Sequence, residues 1–166
     1  GGTHGRLLTH LARANPQWKH LAAGAEALVI FHGPHGYISP AWYESSPAVP
    51  TWNYAVVHAY GTASVIEDAS DLARLLEETV EQYEAPRSNR WDGELPDDFR
   101  SRLMQAIVGF EIPISRIEGK FKLGQNRLPA DLAGVYQGLT QSGYPGDAEL
   151  ANHMASEGRV TPQDPQ

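Results

Sequence analysis

Apolar and polar positions along the chain sort it into helical and extended stretches. Leu7, Leu8 and Leu11 share one side of a helix predicted over Gly5 to Asn15, stopped before Pro16. The run Ala27-Leu28-Val29-Ile30-Phe31 reads as a strand buried on both faces. His32-Gly33-Pro34-His35-Gly36 then reads as a turn, and Tyr37-Ile38-Ser39 as the returning strand of a hairpin. A loop from Pro40 to Pro50 carries Trp42 and Tyr43. Beyond it Tyr54, Val56, His58 and Tyr60 alternate with Ala55, Val57 and Ala59, a strand with one bulky and one small face. Gly61 marks an expected bulge before Ser64-Val65-Ile66.

From Ser70, the expected N-cap, to Glu84 the period becomes helical, with Leu72, Leu75, Leu76 and Val80 inward. Pro86 to Pro96 is a loop and Asp97 to Ile107 a second helix. Val108, Phe110, Ile112 and Ile114 alternate as a strand, in which Pro113 points to an edge position or a bulge. Glu118-Gly119 reads as the turn into a last strand, Lys120 to Leu123. Ala130 to Gln141 and Asp147 to Ala155 read as helices, followed by a frayed tail. Strands joined by short turns, with helices between and after them, give an α+β class: an antiparallel sheet closing into a small barrel with flanking and C-terminal helices.

Composition changes this picture little: 41% apolar and 20% charged residues describe an ordinary globular chain. The absence of Cys excludes disulfides and thiolate metal sites. No apolar run is long enough to cross a bilayer as a helix and no signal peptide is recognisable, so a cytoplasmic protein is expected. The opening GGTHG lacks an initiator Met, which suggests that further residues precede it.

Charge changes the picture more. The net charge of −7 disfavours general affinity for DNA, so DNA remains a partner that charge does not support. Yet four of the thirteen cations, Arg116, Lys120, Lys122 and Arg127, lie within thirteen residues that hold a single acid, Glu118. In an extended chain Lys120 and Lys122 leave one face while Phe121 and Leu123 enter the core from the other. Gly124 permits a sharp change of direction that delivers Gln125, Asn126 and Arg127 to a helix start, an arrangement able to hold a phosphate. The competing reading is a solvated hairpin edge with Asn126 as a helix cap. Trp52, Asn53 and Tyr54, following Trp42 and Tyr43, form an aromatic and amide cluster that either stacks on a flat ring or caps the core. His58 reads as a core or interface histidine, and no His, Asp or Glu spacing points to a metal. Gly-rich phosphate loops and a GxSxG nucleophile elbow are absent.

Four segments carry a family likeness: LARANPQWKHL (Leu11 to Leu21), YISPAWY (Tyr37 to Tyr43), VPTWNYAVVHAYG (Val49 to Gly61) and IVGFEIPISRIEGKFKLGQNR (Ile107 to Arg127). Together they resemble the PaiB-like proteins, described as FMN-binding negative transcriptional regulators. The resemblance implies a split β-barrel of the pyridoxamine-phosphate-oxidase kind, with residues 1–142 as the FMN-binding-like domain and 143–166 as a C-terminal helix and tail. It implies a homodimer with flavin at the subunit interface and FMN as cofactor. Lys120, Lys122 and Arg127 would meet the phosphate, Gln125, Asn126 and Asn53 polar edges, and Trp52 or Trp42 the ring. The family usually adds a first barrel strand before this start, and commonly has Ser where this chain has Gly124. An alternative within the same likeness is a flavin-dependent or haem-binding oxidoreductase.

Overall fold

In a computed structural model, residues 4–160 are described; the expected frayed tail falls largely outside them. Five strands hydrogen-bond in the order β1-β5-β3-β2, with β4 on β5: β1 (Arg6–Ala12), β2 (Glu26–Ile38), β3 (Thr51–Thr62), β4 (Ser64–Ile66) and β5 (Ile107–Lys122). The helices are α1 (Gln17–Ala22), α2 (Ala69–Glu84), α3 (Asp97–Gln105), α4 (Pro129–Gln141) and α5 (Asp147–Ser156). The α+β class and the antiparallel sheet hold. The chain forms two compact units, one of residues 4–29 and 59–117, the other of 30–58 and 118–160; β2, β3 and β5 contribute residues to both.

The first unit replaces the expected N-terminal helix with β1, which pairs antiparallel with β5 from Arg6 opposite Pro113 to Ala12 opposite Ile107. Leu7 and Leu11 are four apart, a spacing that suits one helical face and equally one strand face. Pairing with β5 decides between them, and both leucines pack on the core while Leu8 is exposed. That core is Phe110, Val108 and Ile112 of β5 with Ala27 and Ala63, and Trp18 and Leu21 of α1 close against it. Pro113 is not on an edge strand, since β5 lies between β1 and β3; it stands in the last pair of the β1 ladder. β3 runs through Gly61, where a Cβ would strike the Pro113 carbonyl. Helix α2 is capped by Asp68 rather than Ser70, the carboxylate accepting the Ser70 N–H at 2.7 Å. Exposed ion pairs of this unit, such as Arg6 with Glu111 and Arg74 with Asp71, contribute about 0–1 kcal/mol each. Burial of Phe110 outweighs them.

Two expected turns are absent because the strands are longer than the pattern suggested. β2 runs unbroken from Glu26 to Ile38, so His32 to Gly36 is strand and not a hairpin. As the terminal strand of the order it tolerates Pro34, and Gly33 has its Cα where a Cβ would come within 3.2 Å of the Ala55 Cβ. The same terminal position leaves Leu28, Ile30 and Phe31 exposed, so this run is not buried on both faces. β5 likewise runs through Glu118-Gly119 to Lys122 without turning.

The second unit has its own core, Ile38, Leu123, Val135, Leu139, Leu150, Ala151 and Met154, with Trp42, Tyr43, Leu132 and Tyr136 packed against it. Leu123 is fully buried as expected, but Phe121 is 40% exposed, its ring 5.8 Å from that of His153. Helices α4 and α5 pack together in this core, α5 following Gly146, whose φ of 89° turns the chain.

Candidate functional site

All eight expected ligand residues fall in the second unit, but they serve different ends. Lys120 and Lys122, two apart on β5, leave the strand on one face. The Lys122 ammonium donates to the Trp52 carbonyl at 2.8 Å and to the Thr51 hydroxyl, tying the end of β5 to the start of β3. Lys120 lines an open depression of about 450 Å3 with Tyr54, Val56 and His58 of β3 and with Glu118 and Gly119. That volume is within the range of small-molecule sites, about 300–1,000 Å3. It lies on the bulky face of β3; the small face, Ala55 and Ala59, is buried.

Past Leu123 the chain reverses at Gly124, whose φ is +79°, and the Arg127 N–H closes the turn on the Gly124 carbonyl at 2.9 Å. A side chain at 124 would be strained by that φ and would also meet Leu132 Cδ2 at 3.0 Å, which accounts for Gly at this place. Gln125 spends its amide on the turn itself: Oε1 accepts the Leu123 N–H at 2.9 Å and Nε2 donates to the Phe121 carbonyl. Asn126 is exposed and is not a helix cap, because α4 begins after Leu128 with no side-chain cap. The Arg127 guanidinium lies over the Tyr43 ring at 4.1 Å.

The aromatic and amide cluster divides. Trp52 is 53% exposed, with the rings of His35 and Tyr37 at 6.1 and 6.4 Å. Asn53 is buried, its Nδ2 donating to Met154 Sδ at 3.8 Å. Trp42 is partly buried: it lies on α4 where Gly134 and Gly138 have no Cβ, and a methyl group at either would overlap the Trp42 carbonyl or its indole. So Trp52 and the two lysines are brought to one stretch of β3 and β5, whereas Trp42 and Asn53 join the core.

Sequence reading missed two groups. Val56 and His58 line the depression next to Tyr54; the alternation of β3 was visible, but not Lys120 of β5 beside it. Asp131 in the first turn of α4 is 1% exposed and accepts the Glu44 N–H at 3.0 Å, the Ser45 N–H at 2.9 Å and the Ser45 hydroxyl at 2.6 Å. It straps the loop that leads to Thr51 and Trp52 onto α4. No periodicity signals a bond across 86 residues.

The Ser45 hydroxyl above all, then the Ser45 N–H, holds the Asp131 carboxyl below its ordinary value. A carboxylate whose folded pKa is depressed contributes stability above its unfolded pKa, about 3.9 for Asp, and loses it as pH falls through the folded value. Asp131→Asn is therefore expected to lower the urea midpoint at neutral pH and to weaken the fall in midpoint below about pH 4. Urea melts of both proteins across acid pH check this; an unchanged acid limb would show that Asp131 is not a source of it.

Among the described residues no three His, Asp or Glu side chains come together as metal ligands, and no helix is long and apolar enough to cross a membrane. The family described as "Putative FMN-binding domain" matches residues 1–116. Protease synthase and sporulation protein PAI 2 of Bacillus subtilis is 41% identical over 153 residues, 91% of this chain and 72% of that protein. An uncharacterized protein of Emericella nidulans is 32% identical over 189 residues, 95% of this chain and 75% of that protein. The fold is similar to an FAD and heme binding protein from Mycobacterium smegmatis, with a TM-score of 0.54, 20% identity and 80% of this chain aligned. It is also similar to the flavocytochrome Anf3 from Azotobacter vinelandii, with a TM-score of 0.53, 19% identity and 72% of this chain aligned. The chain spans 62% and 51% of those two solved chains, and the likeness is one of fold alone, a split barrel.

Proposed function

The chain belongs to the FMN-binding domain family, and we propose that it holds FMN in the depression on the bulky face of β3 as a PaiB-like negative transcriptional regulator. The observation that carries the site is the meeting of Lys120 with Tyr54, Val56 and His58 around one volume of small-molecule size. A cation for a phosphate and an aromatic wall for a ring are the two features that a flavin mononucleotide requires. When bound, FMN supplies a ring that accepts and donates electrons. Trp52, exposed on the same strand, would border it, and Asn126 is available to a polar edge.

The B. subtilis relative carries a name that speaks of sporulation and protease synthesis, and this supports the regulatory half of the proposal. Exposed Leu28, Ile30 and Phe31 on β2 support a homodimer, since apolar side chains on a terminal strand gain by pairing.

Titrating flavin-free protein with FMN and following flavin fluorescence tests the binding: saturable quenching is expected, and fluorescence that stays unchanged at excess protein rules it out. Adding NADH or NADPH with an electron acceptor separates the two roles. Sustained turnover would make the oxidoreductase reading the better one. Sedimentation of the same sample should give the mass of two chains; a monomer at all concentrations would remove the dimer.

A further inference from the structure

The three cations between Lys120 and Arg127 are unequal, and we propose that Lys120 alone reads the phosphate end of the flavin. Lys122 and Arg127 are positioning residues, for Trp52 and Tyr43 respectively. This rests on the FMN reading above and adds to it a division of labour among neighbouring cations.

An ammonium has three donors. Lys122 commits two of them, to the Trp52 carbonyl and the Thr51 hydroxyl, and does not line the depression. A phosphate arriving there would have to displace acceptors that hold β5 to β3. Arg127 spreads its guanidinium over Tyr43 and also lies close enough to stabilise the Asp131 carboxylate. The contact with Tyr43 holds this part of the loop, and Arg127 likewise lies outside the lining of the depression. Lys120 is different on both counts. Among the described residues its side chain makes no hydrogen bond or ion pair, and it lines the depression opposite Tyr54 and Val56.

Glu118 sharpens the distinction. It lines the same depression, so a carboxylate and the ammonium of Lys120 share that lining. With Lys120 neutralised, the lining loses a positive charge that attracts a phosphate, while uncharged riboflavin is unaffected. Lys120 is in this sense a specificity-determining residue: it decides between the phosphorylated and the unphosphorylated flavin.

The test compares FMN with riboflavin on the whole chain by fluorescence titration, in wild type and in Lys120→Gln, Lys120→Arg and Lys122→Gln. Wild type should prefer FMN. Lys120→Gln should weaken FMN by about tenfold or more, the scale of one charge-assisted hydrogen bond, while riboflavin changes by less than about twofold. Lys120→Arg should retain most of the preference. Lys122→Gln should weaken both flavins by a similar factor, because a displaced Trp52 affects the ring and not the phosphate. A preference that survives Lys120→Gln, or one that collapses in Lys122→Gln alone, overturns the assignment. Should wild type bind neither flavin, the FMN reading falls, and inorganic phosphate then decides the role of Lys120. Amide resonances of Gly119 and Lys120 that move with phosphate in wild type and stay still in Lys120→Gln support the assignment; resonances that never move overturn it.

Discussion

Phe110→Ala is expected to lower the folding free energy by about 3–5 kcal/mol, the largest effect of any single truncation in the first unit. Phe110 is fully buried near the start of β5, with Thr9 of β1 on one side and Val65 of β4 on the other. Val108, Ile112, Ala27 and Ala63 fill the same core, and the partly buried Leu7, Leu11 and Trp18 close it. The loss has two parts: the transfer energy of the ring, and the cavity left among neighbours fixed by two strand ladders. Because a domain is stable by only about 5–15 kcal/mol, the variant should be close to unfolding. Phe110→Leu keeps most of the volume and should cost far less. Urea denaturation of the three proteins checks this. A loss under about 1 kcal/mol for the alanine variant would mean that this cluster is not the core of the unit.

Gly138→Ala should also destabilise, against the direction that helix propensity gives. In an exposed helix the exchange would gain up to about 1 kcal/mol. Here the added methyl group would overlap the Trp42 indole, and the corresponding group at Gly134 would overlap the Trp42 carbonyl. Overpacking of this kind costs about 1–3 kcal/mol, and the indole has α4 on one side and core residues about it, so steric overlap wins over propensity. Gln137→Ala on the exposed side of the same helix is the control and should change stability by less than about 0.5 kcal/mol. A stabilised Gly138→Ala variant would show that Trp42 does not sit on this glycine pair.

These two positions also illustrate what could be read from residues alone. The alternation of Val108, Phe110, Ile112 and Ile114 identified β5 and its buried face, because a period of two is a local property. Helices α2, α4 and α5 were legible for the same reason at a period near four. Errors arose where a local signal was compatible with two outcomes. Leu7 and Leu11 fit helix and strand alike, and only β5 selects the strand. Gly33, Pro34 and Gly36 look like a turn, yet a terminal strand tolerates the proline and a close neighbour requires the first glycine. Lys120 and Lys122 were correctly set on one face, but a face does not say what lies across from it. The bond of Lys122 to β3 and the strap from Asp131 to Ser45 join residues 70 and 86 positions apart, and such pairings leave no trace in a window of ten residues.

The central claim is that this chain binds FMN through its own side chains. Protein loaded with FMN, freed of excess ligand by gel filtration and examined by absorbance tests it most directly. The account predicts the spectrum of oxidised flavin in the protein fraction, near one flavin per chain, and its loss from Lys120→Gln protein that remains folded. A colourless protein fraction after loading, or a haem spectrum in freshly isolated protein with none of flavin, would contradict it.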